Sequence, residues 1–333
     1  METNPKNGFD MNRREILKSF ALVLAGGLVI NNVPGIAGAI VFGKKKGEQR
    51  QDIDPLKGIE ENSDNKPDIV AIRNGEPDEM FRKGIEEFGG MKAFIKPGQK
   101  VIIKPNASFD SAPEYSANTN PILVGEIVRQ ALAAGASEVS VFDHTLNDWR
   151  SSYKNSGIED AVRKAGGRML PANEENLYEK ISNHKAKRLK ETALFKPLLD
   201  ADVIINVPVL KNHGGAKMTC AIKNLMGYIW DRRYLHSNDL NQCIAELPLY
   251  IKPTLTIVDA YRVMLSNGPR GTGLSDVELI KYQLISPDMV ALDSIAAQIM
   301  KYNLDEVSYI KIAEDLGFGT SDIKKLNIKR IDV

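Results

Sequence analysis

The sequence predicts an α/β protein with a mainly parallel sheet built of βαβ units and with helices on both of its faces. Three observations predict this class. Short, continuous apolar runs such as 101–103 read as strands buried on both sides. Amphipathic segments of helical length separate these runs. Strands that alternate with helices in this way favour parallel pairing, because a parallel pair needs a long crossover connection.

The first half of the predicted domain contains three strands and three helices. The strands are predicted at 68–75, 101–107 and 137–144, and the helices at 77–94, 121–135 and 156–167. Pro121 follows Asn120 and suits the first turn of the second helix. Ser156 and Glu159 have the spacing of a capping box at the start of the third.

The second half repeats the pattern. Strands are predicted at 202–210, 254–264, 278–286 and 326–333, and helices at 217–230, 287–300 and 305–317. Asp288 follows Pro287 and is expected to begin its helix. A domain from 67 to 333 results, and its length fits one body or two lobes.

Composition excludes several classes of function. The chain has 333 residues with 43% hydrophobic and 26% charged residues, which is ordinary for a globular protein. A net charge of +1 gives no electrostatic footprint for nucleic acid, and none is expected as a partner. Cys220 and Cys243 are too few for the usual iron–sulfur cluster, so none is expected from this chain alone. Whether the two thiols pair or stay free is left open.

The first 39 residues predict a twin-arginine (Tat) signal segment. Arg13 and Arg14 precede an apolar run from Phe20 to Ile30, and the small-residue pattern at 37–39 is typical of a cleavage site. The run is shorter than the roughly 20 residues that span a bilayer. We expect export by the Tat translocase to the periplasm or the extracytoplasmic face of the membrane. Membrane contact is expected only if this segment stays uncleaved as an anchor. Residues 40–66 are polar and predict a linker.

Polar residues gather where predicted strands end. Lys104 and Asn106 close the second strand, His144 closes the third, and Asp259 lies late in the strand that begins at 254. In parallel sheets the binding crevice lies at the carboxyl ends of the strands. We therefore expect these side chains to share one site.

The segment 207–227 predicts an anion site. Its glycine turn precedes a predicted helix, whose free N–H groups and dipole attract anions. Gly227 costs about 1 kcal/mol of helix propensity relative to Ala, which indicates a close approach by a ligand or by other atoms of the chain. The alternative is a glycine-rich surface loop with scattered lysines. The residues predicted to bind a ligand or cofactor are Lys104, Asn106, Lys211, Gly214, Gly215, Lys217, Lys223 and Asn224.

Histidines provide candidates for catalysis and for metal binding. His144 and Asp259 are predicted as an acid–base pair, because imidazole and carboxylate are common proton carriers. His144, His213 and His236 form an alternative metal set, since neutral imidazole binds several transition metals. Their spacing matches no standard metal motif. The cofactor is left unknown, with a metal as one alternative.

Five segments in this order resemble the "domain of unknown function 362" family: "VIIKPNASF", "TNPILVGEIVRQALAAGASEVSVFDH", "DADVIINVPVLKNHGGAKMTCAIKNLMG", "PTLTIVDAY" and "SPDMVALDSIAAQIM". The resemblance runs from about Asp68 to Phe318. Many members carry a ferredoxin module, whose cysteine clusters this chain lacks, so the iron–sulfur label does not transfer. The family implies no settled reaction.

The order of strands, helices and histidines is also similar to the N-terminal half of the nickel-pincer lactate racemases. That likeness implies His144, His213 and Lys217 or Lys223 as the residues that would hold a nickel-bearing cofactor, although the glycine spacing differs. Two functions follow. One is an exported enzyme that binds a small anionic ligand or cofactor. The other is a non-catalytic binding protein for a ligand or partner outside the cytoplasm.

Overall fold

A mixed sheet of ten strands runs through the part of the protein described by a computed structural model, residues 55–56 and 66–333. The predicted signal segment, 1–39, and nearly all of the predicted linker, 40–66, lie outside the described residues. The strands of this sheet are β1 Ile69–Arg73, β2 Lys100–Pro105, β3 Glu138–Val141, β4 Arg168–Met169, β7 Val203–Val207, β8 Val209–His213, β9 Lys217–Thr219, β10 Leu255–Met264, β11 Val277–Ser286 and β12 Ile328–Asp332. A separate antiparallel hairpin consists of β5 Tyr178–Ser182 and β6 Glu191–Phe195.

The sheet is mostly parallel, as the sequence predicted. Its order is β12-β1-β11-β10-β7-β2-β3-β4, and β8 runs beside β10 and forms a hairpin with β9. Strands β2, β3, β4 and β7 are parallel to one another, and β10 is parallel to β7. Strand β11 is antiparallel to both β1 and β10. The carboxyl ends of β2, β3 and β7 therefore meet at one edge of the sheet.

Nine α-helices accompany the strands in the described residues. They are α1 Pro77–Glu86, α2 Pro121–Ala133, α3 Trp149–Asn155, α4 Ile158–Lys164, α5 Ala221–Asn224, α6 Arg232–Ser237, α7 Leu240–Glu246, α8 Met289–Ile299 and α9 Ser308–Asp315. The predicted start of α2 is confirmed, because the Asn120 side chain accepts a hydrogen bond from the Ile122 N–H at 3.0 Å. Asp288 caps α8 in the same way through the Ala291 N–H at 2.9 Å. In residues 55–56 and 66–333, no helix combines the length and hydropathy needed to cross a bilayer.

Two hydrophobic cores lie on opposite faces of the sheet. Along β1 the side chains alternate, with Ile69 and Ala71 in one core and Val70 and Ile72 in the other. Helices α5, α7, α8 and α9 contribute to the first core, and α1, α2 and α4 to the second. The predicted arrangement of helices on both faces is confirmed.

The predicted helix over 217–230 is wrong in its first part. Lys217 has a φ of 63° and pairs with His213 across the β8–β9 hairpin, so the chain is extended where the helix was expected. The helix begins only at Ala221, and a 3-10 turn from Leu225 to Tyr228 ends it. The N–H groups of Ala221 and Ile222 donate to the two oxygens of Asp293 at 2.7 and 3.0 Å. The anion at this helix terminus is therefore a carboxylate of the protein itself.

The predicted capping box at Ser156 is also absent. Gly157, at a φ of 74°, is the N-cap residue of α4, and it makes no side-chain cap bond. Ser156 accepts only a long 3.4 Å hydrogen bond from the Ile158 N–H.

Candidate functional site

A cavity of about 990 Å³ lies where β2, β3 and the β8–β9 hairpin end, and we call it the central cavity. Helices α5 and α6 and the β5–β6 hairpin also contribute to its lining. The residues that line it include Lys104, Asn106, Ser108, Phe109, His144, Lys211, His213, Thr219, Lys223, Asn224, Gly227, Trp230, Arg232, His236 and Pro269.

Most of the residues predicted from the strand ends share this cavity. It brings together Lys104, Asn106, His144, Lys211, His213, Lys223, Asn224 and His236. Four predicted residues do not line it, namely Gly214, Gly215, Lys217 and Asp259.

A buried ion pair forms part of the cavity wall. The Lys104 ammonium lies 3.0 Å from Asp143 Oδ1 and donates to Asn224 Oδ1 at 2.7 Å. Asp143 Oδ2 accepts from the Ala107 N–H at 2.8 Å. Burial lowers the pKa of Lys104, and the Asp143 carboxylate opposes that shift. The charges of Lys104 and Asp143 therefore neutralise each other.

Gly227 allows this ion pair to form. A Cβ atom at this position would lie 2.1 Å from Asp143 Oδ1 and 2.3 Å from Lys104 Cε. The sequence predicted a close approach at Gly227, and the approaching atoms are those of the Lys104–Asp143 pair.

Asparagine amides fix the position of Lys104. Asn224 Oδ1 accepts from Asn106 Nδ2 at 3.2 Å as well as from Lys104, and Asn224 Nδ2 donates to Asn206 Oδ1 at 2.8 Å. Lys104 and Asn206 are also direct neighbours in the β2–β7 register. Two strands and α5 are thus joined by side-chain hydrogen bonds at the base of the cavity.

Lys211 is a second buried lysine on the cavity wall, with 1% of its surface exposed. Its ammonium donates to the Ala117 carbonyl and to Asn106 Oδ1, and it lies 4.8 Å from the centre of the Phe109 ring. No carboxylate among the described residues forms an ion pair with it. Burial, followed by the charge of Lys223, holds the pKa of Lys211 well below its usual value.

Lys223 is the third buried lysine, with 8% of its surface exposed. Within residues 55–56 and 66–333, no hydrogen-bond acceptor or carboxylate is in reach of its ammonium. Burial, followed by the charges of Lys104 and Arg232, lowers the pKa of Lys223 to about 7. The hydroxyl of Thr219, also on the cavity wall, is buried without a hydrogen-bond partner in the described residues. An ammonium and a hydroxyl are both left with unused hydrogen-bonding capacity.

Two neutral histidines present opposite ring nitrogens. His144 Nδ1 lies 2.9 Å from the Ile229 carbonyl and must donate to it, which leaves Nε2 as an acceptor. His213 Nδ1 accepts from the N–H groups of Gly215 and Ala216, both at 3.1 Å, so its proton resides on Nε2. Burial lowers the pKa of His144 to about 4 and that of His213 to about 3. The cavity wall therefore offers one imidazole acceptor and one imidazole donor.

Arg232 is a residue that sequence reasoning missed. Its guanidinium donates to the carbonyls of His144 and Thr145 at 2.6 and 2.9 Å, and no carboxylate in the described residues pairs with it. Thr219 and Trp230 were also missed, and the Trp230 ring stacks on His144 at 4.9 Å between centroids. No sequence motif marks these three residues. The β8–β9 hairpin places Thr219, and the chain between α5 and the start of α6 places Trp230 and Arg232.

The glycine turn does not provide the predicted anion site. The N–H groups that follow it, those of Gly215 and Ala216, are used by His213. Lys217 has a side chain that is 52% exposed and lies 3.5 Å from Glu306. Gly214, Gly215 and Lys217 therefore act outside the cavity, by supporting His213 and the surface of the hairpin.

Asp259 binds the backbone and does not face the cavity. Its oxygens accept from the N–H groups of Asn120 and Tyr261 at 2.7 and 3.1 Å. Burial raises the pKa of this carboxyl to about 6, and the two N–H groups oppose the shift. The structure thus separates Asp259 from His144, its predicted catalytic partner.

The predicted three-histidine metal set is not assembled. Among residues 55–56 and 66–333, no group of three or more histidine, cysteine or acidic side chains is arranged to hold a metal ion. His213 and His236 lie near each other, with 6.2 Å between ring centroids, whereas His144 is held against Trp230. Cys220 and Cys243 are both free and buried, which answers the question of their pairing.

The cavity has a strong excess of positive charge. Among the described residues that line it, lysines and arginines outnumber carboxylates by eight to three. The three carboxylates are Glu175, Glu191 and Asp231, and all of them are exposed. The buried Asp143 carboxylate is already paired with Lys104, so no carboxylate of the described residues forms an ion pair with Lys211 or Lys223.

Comparison with known proteins gives several similarities. The chain is 26% identical over 255 residues to thylakoid-associated protein sll1697 of Synechocystis sp. (strain ATCC 27184 / PCC 6803 / Kazusa), which covers 72% of this chain and 74% of that protein. Among solved structures it is similar to the lactate racemase apoprotein from Thermoanaerobacterium thermosaccharolyticum, with a TM-score of 0.42 and 14% identity over 68% of this chain. The match spans 56% of the racemase chain. A Thermotoga maritima protein gives a TM-score of 0.38 at 11% identity, over 72% of this chain and 60% of that one.

The family is shown by a match that covers more than half of the chain. Residues 101–298 match the model of one family, and this stretch contains β2, β3, the β8–β9 hairpin and the lysines of the central cavity. The chain belongs to the family described as Domain of unknown function (DUF362).

Proposed function

We propose that this protein binds a small anionic ligand in the central cavity. One observation carries the proposal: Lys211 and Lys223 are buried on the cavity wall without a carboxylate partner in the described residues. Burying an unpaired ammonium costs several kcal/mol. A bound anion would supply the missing partner and offset that cost.

The other groups on the wall fit an anion that also carries polar substituents. The Arg232 guanidinium provides a further cation without a carboxylate, and the Thr219 hydroxyl is free to donate. The His144 and His213 rings offer an acceptor and a donor to uncharged parts of the same ligand. The Trp230 ring adds an apolar surface beside them.

Titration calorimetry with inorganic phosphate and with small mono- and dicarboxylates tests this proposal. We expect at least one of these anions to bind, and we expect Lys211→Met and Lys223→Met each to weaken it about tenfold or more, since a charge-assisted contact contributes roughly 1.5–3 kcal/mol. Lys164→Met is the control, because Lys164 is 72% exposed and pairs with Asp160. Failure of every anion to bind, or equal binding by all three variants and the wild type, refutes the proposal.

We also propose that the protein is exported through the Tat pathway. The support is the sequence alone, from the paired arginines Arg13 and Arg14 to the small residues at 37–39. Cell fractionation of the wild type and of a variant with Lys at both positions tests it. Export is expected to stop in the variant, and equal export of both proteins refutes the assignment.

A further inference from the structure

We infer that Lys223 is a carbonyl-reactive amine that forms an imine with a 2-oxo acid bound in the central cavity. This inference rests on the proposed function and adds to it a substrate class and a chemical step. It concerns the one buried lysine of the cavity wall for which the described part of the chain provides no partner.

The surroundings of the three buried lysines separate their roles. Lys104 is held by Asp143 and Asn224, and Lys211 by the Ala117 carbonyl and Asn106. A nucleophilic amine needs freedom to approach carbon, and these hydrogen bonds and the ion pair hold both lysines in place. Lys223 has neither a hydrogen bond nor an ion pair with the described residues, although 92% of its surface is buried. It is the lysine whose nitrogen is available.

The cations around Lys223 favour its uncharged form. Burial, followed by Lys104 and Arg232, lowers the pKa of this amine to about 7, so a large part of it is unprotonated at neutral pH. A surface lysine, with a pKa near 10.4, provides very little free amine there. Desolvation beside other cations is the usual way in which proteins activate a lysine for attack on carbonyl carbon.

The wall also fits the rest of a 2-oxo acid. Arg232, which has no carboxylate partner in the described residues, can neutralise the carboxylate of the ligand, and Lys211 Nζ can donate a hydrogen bond to it. The His213 Nε2–H group can donate to the carbonyl oxygen, because its Nδ1 is already occupied by two backbone N–H groups. A 2-oxo acid has its anion and its carbonyl on adjacent carbons, and the groups suited to each line the same cavity.

The step balances with the uptake of one proton from solution and needs no other reactant. The lone pair of the neutral Lys223 Nζ forms a bond to the carbonyl carbon, and the carbonyl oxygen takes a proton to give a carbinolamine. A second protonation of that oxygen lets the C–O bond break, and water leaves. The product is a protonated imine, in which nitrogen keeps one of the two hydrogens of the neutral amine and carbon has lost its oxygen as water. No oxidation or reduction occurs.

Reductive trapping tests the inference. The full-length protein is incubated with pyruvate and cyanoborohydride, which reduces a protonated imine to a stable secondary amine, and the products are analysed by intact-protein and peptide mass spectrometry. We expect one adduct per chain, located on Lys223, in the wild type and in Lys164→Met. We expect none in Lys223→Met. Propionate, which has the carboxylate but no carbonyl, should compete with trapping and form no adduct.

The pH dependence gives a test that needs no variant. Trapping at Lys223 should rise with pH and level off with a midpoint near 7, whereas a surface amine gains reactivity only toward pH 10. An adduct that persists in Lys223→Met, or a midpoint near 10, overturns the inference.

Binding measurements separate this inference from the proposed function. If pyruvate and propionate both bind and neither forms an adduct, the imine is refuted while anion binding stands. If no anion of any class binds and no adduct forms, both proposals fail together.

Discussion

Replacing Gly227 by Ala is the sharpest test of how the site is built. The backbone of Gly227 is not in the left-handed region, so alanine meets no conformational obstacle of its own there. The obstacle is the methyl group, whose carbon would lie 2.1 Å from Asp143 Oδ1 and 2.7 Å from Lys104 Nζ. Both side chains are almost fully buried, and neither can move into solvent.

The expected loss follows from two opposing effects. Separating a buried ion pair costs about 3–5 kcal/mol, and forcing extra volume into a packed interior costs about 1–3 kcal/mol if the pair survives by shifting. Glycine-to-alanine replacement in helical backbone returns up to about 1 kcal/mol. We therefore expect Gly227→Ala to lower the free energy of unfolding by about 2–4 kcal/mol. At roughly 2 °C per kcal/mol for a domain of this size, Tm falls by about 4–8 °C.

Gly125→Ala is the matched control, measured by the same urea and thermal unfolding assays. Gly125 lies in α2, and a Cβ there would meet the Cβ of Ala161 at 3.4 Å, an ordinary contact. We expect this variant to equal the wild type or to gain up to about 1 kcal/mol. If Gly227→Ala is as stable as Gly125→Ala, the Lys104–Asp143 pair does not occupy the space below Gly227 and the reasoning is wrong.

Three further predictions concern the charges of the site. Asp143→Asn should destabilise the fold by about 3–5 kcal/mol in urea unfolding, because it leaves the buried Lys104 ammonium unpaired, and adding Lys104→Met should restore most of that loss. Lys223→Met should raise stability by about 1–4 kcal/mol at pH 6. Because the pKa of Lys223 is lowered to about 7, the folded state binds fewer protons than the unfolded state between pH 7 and about 10.4. The stability of the wild type should therefore rise with pH across that range relative to Lys223→Met. A difference in unfolding free energy that does not change with pH would contradict this prediction. Lys217→Ala should change the free energy of unfolding by no more than about 0.5 kcal/mol and should leave anion affinity in calorimetry unchanged, because its side chain is exposed. Weaker anion binding by this variant would show that Lys217 belongs to the site after all.

The sequence alone determined the layered architecture and the edge of the sheet at which the site lies. Apolar runs such as 101–103 and 203–205 are too continuous for strands with one solvent-exposed face, and the caps at Asn120 and Asp288 fix where two helices begin. These signals are local, because each depends on side-chain period or on a residue beside its own backbone. The gathering of Lys104, His144 and Lys211 follows from them, since the ends of parallel strands share one edge.

Only the tertiary structure decided what each residue of the site does. Lys217 and Lys223 were both predicted to bind a ligand, yet one is 52% exposed beside Glu306 and the other is buried on the cavity wall. The hairpin that replaces the expected helix causes this difference, and it depends on pairing between β8 and β9 and on Asp293, 72 residues away from Ala221. Asp259 was predicted as an acid–base residue from its place late in a strand, but its carboxylate accepts from the backbone N–H groups of Asn120 and Tyr261. Burial and long-range pairing set the charge state of these groups, and neither is encoded in the residues adjacent to them.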